Sequence, residues 1–225
     1  MDDDRDLRDW SHRTRLFPLP RVVLFPHAIL PLHIFEDRYR QMTKDALADD
    51  KLVTIVQLLP KPQGQTGSPP HPAIAQVACL GQIVEHERLS DGRFNFLLLG
   101  RKRVLLKREI PSDKLYRIAE AEILEDVVES PEEPHRGELI DCFRRVFERH
   151  DRLDADLKAL LEGEIPLGVL ADIIAHALTM PVELKQMLLA EPVVDRRVEL
   201  LLAQLDCNFK DGLDRKRFPP PFSKN

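Results

Sequence analysis

The sequence predicts an α+β chain: a small β-barrel with one inserted helix, followed by a C-terminal α-helical bundle. Three observations predict it. Up to about Leu124 the apolar residues come in short runs with strand-like character, at 21–25, 52–59, 73–89, 93–110 and 115–124. One of those runs continues through a glycine, Gly100, which marks the kind of bulge or bend that turns a barrel corner. Beyond Ser130-Pro131-Glu132-Glu133-Pro134 the apolar spacing changes to that of helix faces.

Each element has its own signal. Ser90-Asp91-Gly92 separates two β-like runs, and Asp-Gly supplies the backbone angles of a tight hairpin turn. Between Glu36 and Leu47, the residues Tyr39, Met42, Thr43 and Ala46 recur at i, i+3, i+4 and i+7, which predicts the inserted helix. Ser130, Pro131 and Glu133 have the spacing of a capping box, opening a helix that turns Leu139, Cys142, Phe143, Val146 and Phe147 inward. A short helix is expected at 156–161. Pro166 opens the next, with Leu167, Leu170, Ile174 and Leu178 inward, and Pro181 opens another. Val194, Val198, Leu201, Leu202 and Leu205 stripe the last. The Pro- and Gly-rich stretch 61–72 reads as an exposed, mobile loop. The organisation expected is a flexible N-terminus at 1–14, a barrel at 15–128, a bundle at 129–209 and a disordered tail at 210–225.

Composition narrows the function. The chain has 225 residues and a net charge of -5, so it carries no global excess of positive charge for gripping nucleic acid. Its three cysteines, Cys79, Cys142 and Cys207, include no C-x-x-C pair, which disfavours a zinc ribbon or a disulfide scaffold. The acidic start and the lack of any long apolar run predict a cytoplasmic protein without a membrane span. No phosphate-cradling G-x-x-x-x-G-K-[ST] or G-x-S-x-G nucleophile elbow occurs. The six serines fall in predicted loops, caps or tails. His27, His33 and Glu36 lack metal-ligand spacing, and Glu85-His86-Glu87 reads as the solvated face of a strand. The expectation is a non-enzyme with no metal and no cofactor.

One basic cluster stands out. Arg101, Lys102, Arg103, Lys107 and Arg108 place five positive charges within eight residues. On one barrel edge they would meet RNA phosphates or an acidic partner, although no aromatic residue interleaves them.

Two apolar blocks carry a resemblance. They are Leu16-Phe17-Pro18-Leu19-Pro20-Arg21-Val22-Val23-Leu24-Phe25-Pro26 and Ile29-Leu30-Pro31-Leu32-His33-Ile34-Phe35-Glu36-Asp37-Arg38-Tyr39. Leu80-Gly81-Gln82-Ile83, Gly100-Arg101-Lys102-Arg103 and Tyr116-Arg117-Ile118-Ala119-Glu120-Ala121 follow in order. In the helical half come Leu170-Ala171-Asp172-Ile173-Ile174-Ala175, Glu183-Leu184-Lys185-Gln186-Met187-Leu188-Leu189 and Arg196-Arg197-Val198-Glu199-Leu200-Leu201. From about 15 to 206 the series resembles the N-terminal substrate-binding domain of Lon proteases, and most of all its stand-alone bacterial members. His27 departs from the glycine common at that turn in the family.

The resemblance implies a PUA-like barrel with a helical bundle, and a non-catalytic polypeptide-binding or adaptor protein without the ATPase and protease modules of Lon. Its partner would be unfolded or extended polypeptide, with a protease or chaperone as a further partner and the oligomeric state open. The binding surface expected is the barrel–bundle groove and the apolar face near Ile29, Leu32 and Phe35. The alternative is an RNA-binding PUA-like module using the Arg101 to Arg108 cluster.

Overall fold

The computed structural model describes residues 7, 10–60, 72–130, 133, 135–148, 163–211 and 223–224. The expected loop at 61–72 lies almost wholly outside them, as do the expected helix at 156–161 and most of the tail. The chain divides into a strand unit, Met1–Leu124 with Arg217–Asn225, and a helical unit, Glu125–Lys216.

The strand unit contains β1 (Arg13–Leu19), β2 (Ile29–Ile34), α1 (Asp37–Leu47), β3 (Leu52–Gln57), β4 (Val77–Arg88), β5 (Phe94–Ile110), β6 (Ile118–Ile123) and β7 (Ser223–Lys224). β1 pairs in parallel with β3 and antiparallel with β6. β4 pairs with both β3 and β5, and β5 with β6. The pairings therefore run β4-β3-β1-β6-β5 and back to β4, a closed ring of five strands. Closure leaves none of these five with an open edge along its paired length.

Leu16, Leu52, Val56, Ala78, Leu80, Val104, Leu106, Ala119 and Ala121 form one buried cluster of the ring. Thr14 on β1 and Thr54 on β3, two residues apart in register because Thr54 lies opposite Leu16, satisfy one another through a buried hydroxyl pair 2.6 Å apart. Leu7 and Trp10 join the same cluster at 7% exposure each. Within the N-terminal segment expected to be flexible, Leu7 and the chain's one tryptophan, Trp10, are thus buried, each with enough apolar surface to hold it in place.

Gly100 shows why β5 bends. The register skips Arg101 between the Gly81–Gly100 and Leu80–Lys102 pairs, a bulge at the expected position. The Gly100 N–H donates to the Ala28 carbonyl and its carbonyl accepts from the His27 N–H, both at 2.8 Å. His27 has a positive φ of 64°, the left-handed conformation for which glycine is better suited. The Asp91-Gly92 turn also forms, with Gly92 at φ 82° and the Arg40 guanidinium donating to its carbonyl.

Two expected elements differ. Residues 21–25 form no strand. Pro20 and Pro26 bracket them, and Val23, Leu24 and Phe25 are buried without being part of a ladder. The capping box is not formed either. Glu133 has φ 47°, outside the helical range, and α2 starts only at Arg136. The Glu133 carboxylate instead accepts from the Leu167 N–H at 3.1 Å and pairs with Arg136 at 2.8 Å, so it caps a helix more than thirty residues further along.

The helical unit holds α2 (Arg136–Glu148), α3 (Leu167–Ala177), α4 (Val182–Ala190) and α5 (Val194–Asp211). Its buried positions follow the expected stripes: Leu139, Cys142 and Phe143, with Val146 and Phe147 outside the residues whose side chains are described; Leu167, Leu170, Ile174 and Leu178; Val194, Val198, Leu201, Leu202 and Leu205.

A polar network ties α1 to the chain before β6. The Tyr116 hydroxyl donates to Asp45 at 2.8 Å, and Lys114 reaches the same carboxylate oxygen at 2.9 Å. Burial and then the Asp45 hydrogen bond push the phenol up to about 12. Unfolded tyrosine loses its proton near pH 10, so the folded state holds that proton more tightly. This contribution to stability is complete below about pH 10 and is lost as the pH rises toward about 12. Thermal melts across that range should show a steep fall in Tm for the native protein and a shallower one for Tyr116→Phe. Equal slopes would show that Tyr116 is not the group responsible.

Candidate functional site

Strand alternation separates the residues of β2. Leu30, Leu32 and Ile34 point into the core, and Leu32 is fully buried. Ile29, Pro31 and His33 lie on the other face, where Ile29 is 43% exposed, and Phe35 just beyond is 39% exposed. Of the three apolar residues expected to bind polypeptide, Ile29 and Phe35 are available at the surface. Leu32 is not, because an odd offset of three residues along a strand reverses the face.

The register supplies the neighbours. Ile29 faces Leu99, which faces Gln82; Pro31 faces Leu97, which faces Glu85; His33 faces Asn95, which faces Glu87. Leu97 and Leu99 are half-buried, and Val84, at the irregularity in β4, is 46% exposed. Ile29, Leu97, Leu99 and Val84 thus form the apolar part of one face formed by β2, β5 and β4. Alternation with Phe94, Phe96 and Leu98 already sets Leu97 and Leu99 on the outer face, and the register adds their neighbours on β2 and β4.

The other end of this face is polar. Arg93 donates to His33 Nε2 at 3.3 Å, which places the imidazole proton on Nδ1, where it is donated to Asn95 Oδ1 at 2.7 Å. The Asn95 amide then donates to Glu87 at 3.4 Å. Phe35 stacks on His33 with ring centroids 6.2 Å apart. The side-chain hydrogen bond from Arg93 holds the Asp91 carboxyl below the usual carboxylate range, keeping the hairpin tip ionised. The arrangement offers an apolar strip ending in oriented polar groups. Among the described residues, no group of three His, Cys, Asp or Glu side chains is placed to hold a metal ion.

The basic cluster is not assembled into one surface. Arg101 and Arg103 are buried, at 9% and 3% exposure. Lys107 pairs with Glu122 at 2.7 Å and Arg108 with Glu120 at 2.6 Å, both acids lying on the adjacent β6. Lys102 is half-buried. Acids some fifteen residues further along neutralise two of the five charges, a pairing that becomes visible only once β5 and β6 are placed side by side.

Fold and surface together define a mixed α+β module built on a closed strand ring with a displayed sheet face. Residues 13–206 match the ATP-dependent protease La (LON) substrate-binding domain, and the chain belongs to that family. It is 26% identical over 193 residues to the Lon protease of Xanthomonas oryzae pv. oryzae, covering 85% of this chain and 22% of that protein. It is 26% identical over 194 residues to Lon protease 1 of Thermus thermophilus, covering 84% and 24%. The chain thus spans about a quarter or less of the length of these relatives.

Two solved structures share the fold. The N-terminal domain of the Mycobacterium avium complex Lon protease superposes with a TM-score of 0.71 at 14% identity, covering 86% of this chain and 98% of that one. The Lon N-terminal domain protein from Xanthomonas campestris gives 0.61 at 25% identity, covering 85% and 97%. No helix among the described residues is long and apolar enough to cross a membrane.

Proposed function

We propose that this chain binds unfolded or extended polypeptide without transforming it, through the outer face of β2, β5 and β4. The observation that carries the reading is the apolar strip of Ile29, Leu97, Leu99 and Val84 beside β2, in a domain whose family is defined by substrate binding. An extended chain laid on such a strip buries alternate side chains and meets polar groups at its His33 end. The closed ring with its attached β2 is the form expected of a PUA-like barrel. A protease or chaperone in the cytoplasm is the natural further partner for a module that recognises but does not cut. The buried and ion-paired state of the basic cluster weighs against the RNA alternative.

Fluorescence anisotropy with labelled casein, an unfolded polypeptide, tests the reading. Micromolar binding is expected for the native chain, with a loss of tenfold or more, or about 1.4 kcal/mol, in the Ile29→Asp, Val84→Asp double variant. Both side chains are surface-exposed, so the substitutions should leave the melting profile intact. No binding by the native chain overturns the function, and undiminished binding by the variant overturns the surface.

A further inference from the structure

β2 is paired along its whole length on one side only. All six of its residues face β5, whereas the other edge pairs, among the described residues, only with Ser223–Lys224. The groups on that edge follow from the ladder. Proline has no N–H to give to β5, so at Pro31 the backbone faces outward, and with a two-residue period Ile29 and His33 face outward too. A parallel ladder with Leu32 opposite Ser223 takes its hydrogen bonds from the residues flanking Leu32: the Pro31 carbonyl accepts from the incoming strand and the His33 N–H donates to it.

We propose that the outer edge of β2 is a strand-addition site and that the chain's own C-terminal segment occupies it in parallel register. The occupied edge borders the face on which Ile29 is displayed. The inference rests on the polypeptide-binding reading in one respect: a bound polypeptide that uses this edge must displace Ser223–Lys224, making the tail an internal competitor.

The full-length chain with Ser223→Pro tests this, since proline at 223 removes the donor to the Pro31 carbonyl while leaving the rest of the sequence intact. Amide exchange followed by NMR should show the His33 N–H protected in the native chain and exchanging at least tenfold faster in the variant. The Leu98 and Val104 amides of β5 should be unchanged in both. A peptide of residues 217–225 added in trans should restore the protection. His33 exchange that is identical in the two proteins overturns the inference. Casein binding read in parallel separates the two claims: Ser223→Pro should bind severalfold more tightly. Released His33 protection with unchanged casein affinity leaves the docked tail standing and removes this edge from the polypeptide site.

Discussion

Gly100→Ala is expected to prevent the strand unit from reaching its native structure. A Cβ at this position would lie 2.0 Å from the Phe25 carbonyl oxygen, 2.9 Å from its carbonyl carbon and 3.2 Å from Cys79 Sγ. The first two are backbone atoms and cannot swing aside by changing rotamer. Relief requires moving the 25–28 turn away from β5, which breaks the two 2.8 Å hydrogen bonds that join Gly100 to His27 and Ala28. Each bond contributes about 0.5–1.5 kcal/mol net, and overpacking adds about 1–3 kcal/mol, so the loss should reach roughly 2–6 kcal/mol. For a domain of ordinary stability that is a large share of the total. Urea unfolding should show a midpoint far below that of the native chain, or the variant should be insoluble. Gly137→Ala is the control: a Cβ there meets nothing within 4 Å, and its stability should match or slightly exceed the native value. A Gly100→Ala protein that unfolds at the native midpoint would show that β5 does not approach the 25–28 turn as described.

Arg197→Ala should have a comparable effect in the helical unit. Arg197 is fully buried on α5 and binds both oxygens of Asp126, at 2.6 and 3.0 Å. It also donates to the Glu191 carbonyl at 2.9 Å, and its Nε lies 3.4 Å from the carboxylate of Asp172, which is 1% exposed. Truncation takes the cation away from Asp172 in a place water does not reach, which costs about 3–5 kcal/mol. Lysine would not rescue it, because one ammonium cannot reproduce the two-pronged contact. The double variant Arg197→Met, Asp172→Leu should recover much of the loss, since it removes both buried charges and fills the space with apolar atoms. Calorimetry on the three proteins decides the matter. A single variant as stable as the native chain would show that the ion cluster does not hold α5 in place.

The sequence disclosed periodic elements well and meeting partners poorly. The α1 stripe of Tyr39, Met42, Thr43 and Ala46, the three helix stripes of the second unit and the Asp91-Gly92 turn depend on local spacing, and they appear as expected. Even Gly100 could be recognised as a bend, though not the carbonyl that demands it. What escaped detection was set by distant chain. Glu133 looked like the cap of its own helix and caps α3; Arg101 stood in a cluster that would form a basic barrel edge and is buried. The Asp126–Arg197 pair joins residues with no local signal, and Gly168 gave no hint that a Cβ there would lie 2.3 Å from the Asp126 carboxylate. Leu32 was expected on the binding face with Ile29 and Phe35, whereas the strand period of two puts it in the core. That Leu97, Leu99 and Val84 meet Ile29 on one face depends on cross-strand register that no window of sequence contains.

The ring of strands has a consequence for how the protein is made. Arg13 on β1 pairs with Glu120 on β6, so the earliest strand of this unit in chain order needs almost the latest one to complete its pairing. Without β6, β1 would keep one unpaired edge and the ring would be an open sheet, with Leu16 and Leu52 of its buried cluster no longer enclosed. A chain of a family defined by binding substrate would, before β6 closes the ring, itself present the open edges and apolar surface of such a substrate.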